Sequence, residues 1–171
     1  PRNGVYLYFG ANIGAIAIPV QTRRKDVKIV CVEAAPWVYH FLKQNLERNN
    51  LTEVIALNNA LFNVDDKTVN IYSPEEKFGK GSLSPVFTNK AVQVKTVKVD
   101  TLIKRLGLEK VDIIKIDVEG YEYHVFKGAT SLLAGTNAPD ILFEFSDWAE
   151  KDAGIDDIGA SQQILIDLGY R

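Results

Sequence analysis

Residues 5–14 read Val-Tyr-Leu-Tyr-Phe-Gly-Ala-Asn-Ile-Gly. An apolar run ends in Gly10, Asn12 and Gly14 follow at alternate positions, and a helical pattern comes after them. A strand that turns into a helix through glycines has little side chain to hold a ligand away, so bare backbone N–H groups can approach it. A second apolar run, Lys28 to Val32, ends in Glu33. An acid at the tip of the second strand is placed to grip a ribose diol. Together the two features predict a site for a nucleoside-containing cofactor.

The spacing narrows the choice. A dinucleotide loop requires Gly-x-Gly-x-x-Gly, so that two phosphates can approach the helix start. Here Asn12 stands where the second glycine belongs, and the third arrives one residue early. A pyrophosphate fits such a loop poorly. A ligand with a ribose and a small carboxylate but no phosphate fits better, and S-adenosyl-L-methionine is one. The competing reading is a tight turn that binds nothing; Glu33 at the right distance weighs against it.

The chain has 171 residues, 46% hydrophobic and 25% charged, which suits one α/β domain with a sizeable core. Residues 1–171 read as a single domain. Methionine is absent, the first strand begins almost at once, and the chain stops at Gly169-Tyr170-Arg171, so truncation is expected at both ends. No apolar run is long enough to span a bilayer, so no membrane partner is expected. A net charge of −2 provides no basic field for nucleic acid. Cys31 is the only cysteine, so no internal disulfide forms. With no secretory signal in view, a reducing, cytoplasmic setting is expected.

Strands are predicted at Val5–Phe9, Lys28–Ala34, Val54–Leu57, Thr68–Tyr72, Val92–Val99, Val111–Asp117 and Asp140–Phe145. Helices are predicted from Ile13 to about Thr22, with a kink or late start at Pro19, and from Pro36 onward. Further helices are expected from an Asp100 N-cap to Leu106, over Tyr121–Leu133 and over Ser161–Leu168. The long Ser73–Ala91 segment, rich in Gly, Pro, Ser and Lys, reads as a functional or mobile loop. Alternation of strand and helix implies a mainly parallel sheet covered on both faces.

In open α/β sheets ligands sit beyond the carboxyl ends of the strands. Glu33, Asp117 and Glu144 fall at such ends, and Asp117-Val118-Glu119-Gly120 adds another acid. Several carboxylates in one cleft need a positive partner. Lys115, a divalent metal, or the cofactor's sulfonium would each serve. Alternatively, Glu119 and Glu122 are solvated acids at a helix start, where they suit the dipole. Lys115, inside a strand, either faces solvent at an edge or pairs with a carboxylate. His40 and His124 lack metal-ligand spacing and read as surface residues, so no metal ligands are assigned.

Several motifs then occur in order. They are Gly10-Ala11-Asn12-Ile13-Gly14, Val32-Glu33-Ala34-Ala35-Pro36, Asn45-Leu46-x-x-Asn49-Asn50, Val99-Asp100-Thr101-Leu102, Ile114-Lys115-Ile116-Asp117-Val118-Glu119-Gly120 with Glu122, Lys127-Gly128-Ala129, and Ile141-Leu142-Phe143-Glu144. Over about residues 5–145 the chain resembles the FkbM-type methyltransferases. The resemblance implies a class I methyltransferase fold: a Rossmann-like α/β three-layer sandwich with a mainly parallel central sheet. It also implies S-adenosyl-L-methionine as cofactor and O-methylation of a small-molecule hydroxyl, such as one on a sugar or polyketide.

Carried over by position, Gly10, Asn12 and Gly14 would line the methionine part of the cofactor, Glu33 would hold the ribose, and Asn59 and Ala60 would lie near the adenine. Asp117 and Glu119 would face the transferred methyl, and Ser82 matches a Ser-rich stretch in the family's mid-chain loop. Tyr8 stands where the family usually has an acid that orients the cofactor's ammonium group; it offers a hydroxyl but no charge.

Methyl transfer is an in-line displacement, so alignment of the acceptor oxygen and exclusion of water are the protein's main tasks. Asp117 or Glu119 would take the hydroxyl proton if burial raises its pKa. Alternatively, Asp117, Glu119 and Glu144 would hold Mg²⁺ or Ca²⁺. Two rival readings stand beside the enzyme: a binding or scaffolding module that keeps the fold without catalysis, and, more weakly, a nicotinamide-dependent oxidoreductase.

Overall fold

The structure, a computed structural model, describes residues 1–75, 77–86 and 88–171. Positions 76 and 87, both in the predicted Ser73–Ala91 loop, lie outside the described residues. In chain order the elements are β1 (Val5–Phe9), α1 (Ala17–Arg23), β2 (Lys28–Val32), α2 (Pro36–Arg48), β3 (Ile55–Leu57), β4 (Ala60–Leu61), β5 (Thr68–Tyr72) and β6 (Ala91–Val97). They continue with α3 (Val99–Arg105), β7 (Ile113–Ile116), α4 (Glu122–Lys127), α5 (Thr130–Leu133), β8 (Asp140–Phe143), α6 (Asp147–Asp152) and α7 (Ala160–Asp167).

Five strands form the main sheet in the order β3-β2-β1-β7-β8, all parallel. A smaller sheet, β4-β6-β5, pairs β4 with β6 in parallel and β5 with β6 in antiparallel. Successive side chains on a strand face opposite ways, and here both faces are apolar. Leu7, Phe9, Val30, Val32, Ile114 and Ile116 pack with Val99, Leu102, Val125, Phe126, Leu133 and Leu165 from α3, α4, α5 and α7. On the other face Tyr6, Ile29 and Cys31 pack with Ala17, Leu42 and Leu46 from α1 and α2. Helix, sheet and helix make three layers, the α/β sandwich that the sequence implied. β8 is an edge strand, and Leu142 on it is 66% exposed.

Several local expectations shift. The first helix begins late, at Ala17, which puts Pro19 in its first turn, where a missing N–H costs nothing. Asp100 does not cap its own helix: α3 starts at Val99, and Lys98 is its N-cap. Its carboxylate instead accepts the N–H groups of Ser131 (2.9 Å) and Leu132 (3.0 Å), so it caps α5 from outside.

The predicted Tyr121–Leu133 helix is two helices. They break at Gly128, where a Cβ would lie 2.2 Å from the Phe62 carbonyl oxygen and where the carbonyl accepts the Asp100 N–H at 3.0 Å. Tertiary contacts with two distant segments override a continuous apolar stripe. Helix α6 carried no periodicity and was not expected. His124 is not a surface residue. It is half-buried, stacked on Phe62 with centroids 4.4 Å apart, and burial lowers its pKa. His40 is exposed.

Candidate active site

The carboxyl ends of β1, β2 and β7 meet in one crevice, and the segment after β5 folds over it. The glycine turn is fixed to β2 first: the N–H groups of Gly10 and Ala11 both donate to the Val32 carbonyl, at 3.0 and 3.1 Å. Gly10 has φ +71, and a Cβ there would fall 1.7 Å from the Asp117 carbonyl oxygen. Only glycine permits both that conformation and that approach. Asn12 adopts φ +52, a left-handed conformation that asparagine tolerates, and its Oδ1 accepts the Ile13 N–H at 2.8 Å. Gly14 is buried away from the crevice. A Cβ there would press on Ile18 and Leu42, so this glycine serves the seating of α1 against α2. Asn45, from α2, steadies the turn by donating to the Ile13 carbonyl at 2.9 Å.

Glu33 follows β2 directly and is 9% exposed. One carboxylate oxygen accepts the Asn12 N–H and the other the Ala35 N–H, each at 2.9 Å. Asn58 donates to the carbonyls of Glu33 (2.8 Å) and Ala34 (3.0 Å), tying β2 to the chain after β3. Burial pushes the Glu33 carboxyl up; the backbone N–H groups of Ala35, Asn12 and Ala34 oppose this, and the charge of Asp117 adds to it.

The β7 end carries the other acids. Lys115, the lysine inside the strand, is largely buried and donates to Asp117 Oδ2 at 2.6 Å, so of the two expected roles it takes the pairing one. Glu119 sits at φ +53 and Gly120 at φ +97. A left-handed non-glycine residue is a strained conformation of the kind that clusters at functional sites. Glu119 is half-buried, and its carboxyl lies above the usual range. Desolvation is the main cause; Asp117 and Glu144 raise it further, while Lys80 and Lys115 pull it down. Glu122 is only 4% exposed and accepts the Val118 N–H at 3.0 Å. It is therefore not a solvated helix-start acid, and burial raises it to about 6. Glu144 is exposed beyond β8.

The crevice is lined by Gly10, Asn12, Glu33, Asn59, Ala60, Asp117 and Glu119 among the residues expected from sequence. Gly14 and Glu144 do not line it. Tyr8 does not plug it: the ring lies half-buried against the α1 and α2 side of the sheet. Residues that sequence reasoning missed are Val38, Ile71, Ser73, Gly79, Gly81, Leu83 and Tyr121. The signals for the loop members among them were the Gly- and Ser-rich composition of residues 73–91 and the family resemblance around Ser82.

That segment is anchored at several points. Trp37 Nε1 donates to Ser73 Oγ at 2.9 Å, and its ring packs tilted against Phe78 with centroids 4.8 Å apart. Ser82 pairs with Tyr72 through both backbone groups, and its hydroxyl donates to the Glu119 carbonyl at 3.2 Å. Ser84 Oγ reaches the Asp152 carbonyl at 2.7 Å and the Tyr121 hydroxyl at 2.8 Å. Among the described residues no group of three or more His, Cys, Asp or Glu side chains is arranged to hold a metal ion. No helix there is long and apolar enough to cross a membrane.

A crevice at the carboxyl ends of a parallel α/β sheet fits a Rossmann-like methyltransferase fold, and comparison with known proteins agrees. The FkbM methyltransferase domain model matches residues 9–171, and the chain belongs to that family. It is 32% identical to methyltransferase sdnD of Sordaria araneosa, a match that covers 75% of this chain and 61% of that protein. It is 27% identical to the hexuronic acid methyltransferase AglP of Haloferax volcanii, over 75% of this chain and 51% of that protein. The chain thus spans about half to three fifths of the curated relatives it matches. Among solved structures, precorrin-6y C5,15-methyltransferase from Geobacter metallireducens GS-15 shares the fold. Its TM-score is 0.55 at 13% identity, covering 99% of this chain and 63% of that one.

Proposed function

We propose that this chain is an S-adenosyl-L-methionine-dependent O-methyltransferase acting on a hydroxyl of a small molecule. The observation that carries this reading is the convergence of Glu33, the Gly10–Asn12 turn and the Asp117–Glu119 turn on one crevice. The cofactor, when bound, supplies a methyl group already activated by positive sulfur. The glycine turn offers backbone close to the methionine part, Glu33 offers its carboxylate to the ribose, and Asn59 and Ala60 stand where the adenine would lie. A group without phosphates suits a turn whose nearest side chains are carboxylates rather than cations. The name of one relative, a hexuronic acid methyltransferase, supports a small-molecule acceptor.

Glu119 is the better general base of the two acids beside the methyl. Its desolvated carboxyl holds a proton more readily than an exposed one, whereas Lys115 engages Asp117. Asp117 then orients rather than abstracts. Ser73, Gly79 and Gly81 lie over the crevice and keep water from the reacting atoms. Glu144 serves on the acceptor side. In the same reading residues 1–171 act as one methyltransferase unit in a cytoplasmic setting.

Isothermal titration with S-adenosylmethionine and S-adenosylhomocysteine tests this directly. Binding of both is expected, and binding of neither overturns it. Tyr8, where the family's usual acid is absent, favours a second reading: a fold retained for binding or scaffolding without turnover. Cofactor binding without methyl transfer to any hydroxylated acceptor would select that reading.

A further inference from the structure

Glu119 stands in a backbone conformation that it would not hold alone. It has φ +53 and Gly120 has φ +97, two left-handed residues in succession. A non-glycine residue keeps such a conformation only where its surroundings over-determine it. Three contacts bear on this turn. The buried Glu122 carboxylate accepts the Val118 N–H at 3.0 Å. Gly120 lies against α6, where a Cβ would fall 2.3 Å from the Ala149 carbonyl oxygen. From the segment after β5, the Ser82 hydroxyl donates to the Glu119 carbonyl itself at 3.2 Å. Ser82 is 2% exposed. Its oxygen accepts the Ser84 N–H at 3.3 Å, and its single proton goes to Glu119. The hydroxyl is not needed to fasten the segment, because the Ser82 backbone is paired with Tyr72 through both its N–H and its carbonyl. On either side of it, Gly81 and Leu83 line the crevice, as Glu119 does.

We propose that Ser82 is a positioning residue for methyl transfer: by holding the Glu119 carbonyl it fixes the turn that keeps the Glu119 carboxylate at the crevice. The assignment rests on the methyltransferase reading above, in which Glu119 is the base. Without the hydroxyl the strained turn loses the one hold that acts on Glu119 directly, and its backbone relaxes. The carboxylate then leaves its half-buried place for solvent. A carboxyl that regains water loses the desolvation that favours its protonated form. The segment that covers the crevice thereby also sets the working geometry of the base beneath it.

The test uses the 171-residue chain with isotope-labelled glutamate, whose side-chain carboxyl carbons are followed by NMR as the pH is varied. The resonance lost in Glu119→Gln is that of Glu119. Asp117, Glu144, Lys80 and Lys115, the charges that bear on this carboxyl, are kept in every Ser82 and Ser84 variant, so a movement reports its position. In Ser82→Ala the Glu119 midpoint is expected to move down, closing about half or more of its distance from exposed glutamates. Ser84→Ala frees the same segment from the Asp152 carbonyl but keeps the Ser82 hydroxyl on Glu119, and should leave the midpoint in place. Ser82→Cys fills the position with a weaker donor and should move the midpoint the same way, which decides the matter where Ser82→Ala does not fold. An unmoved midpoint in the Ser82 variants, or an equal movement in Ser84→Ala, overturns the assignment while leaving the methyltransferase reading intact. Failure of the unaltered chain to bind S-adenosylhomocysteine in calorimetry overturns both.

Discussion

Glu33 holds the turn together and, in the proposed function, would serve the ligand as well. Its two oxygens are already engaged by the Asn12 and Ala35 N–H groups, so in the proposed function the carboxylate that shapes the turn would also receive a diol. Glu33→Gln replaces one acceptor with a donor facing an N–H. We expect S-adenosylhomocysteine affinity to fall at least about tenfold by calorimetry, roughly 1.4 kcal/mol. Glu119 makes a contrasting case. Glu119→Gln keeps the size and removes the base, so turnover should fall by about 10² to 10⁴ with cofactor affinity retained. A base works only when deprotonated, and the Glu119 carboxyl lies above its usual range. The acid limb of the pH–rate profile should therefore sit above the range of an exposed glutamate and vanish in the glutamine variant. An acid limb that persists unchanged would assign the proton to another group.

At the scale of elements, much of the fold was legible. Apolar runs marked the strands of the parallel sheet, period-two alternation marked β5 and β6 of the smaller one, and the acids after β2 and β7 marked the carboxyl edge where the crevice lies. What escaped was set by contacts between segments far apart in sequence. The apolar stripe of residues 121–133 reads as one helix because periodicity carries no record of the Phe62 carbonyl, which excludes a side chain at Gly128. Asp100 reads as a cap, correctly, but of the wrong helix: its acceptors meet the start of α5. Asp100→Ala should cost about 0.5–2 kcal/mol in urea unfolding, and Asp100→Asn much less, since the amide oxygen still accepts. The crevice was half legible for a related reason. Residues at strand ends announce themselves by position. Ser73, Gly79, Gly81 and Leu83 reach the site only because Trp37, Ser82 and Ser84 fasten their segment across it.

For the molecule as a whole, buried acids set the pH response. The folded chain holds the Glu122 proton more tightly than the unfolded chain does, because burial raises this carboxyl from 4.5 to about 6. Its stabilising contribution is complete below the lower value and is lost as pH rises through the interval, by about 2 kcal/mol in all. Glu33 acts in the same direction. Denaturant titrations at about pH 5 and about pH 7 should show this decline, and Glu122→Gln should flatten it; an unchanged slope in that variant would refute the attribution. The rim of the sheet has its own consequence. Beyond β8 no further described strand pairs with it, and Leu142 stands out from it toward solvent. Such a border is an open zipper, and concentrated samples should drift toward clumping along it. Light scattering would register the drift, and Leu142→Lys, by planting a charge on the seam, should slow it.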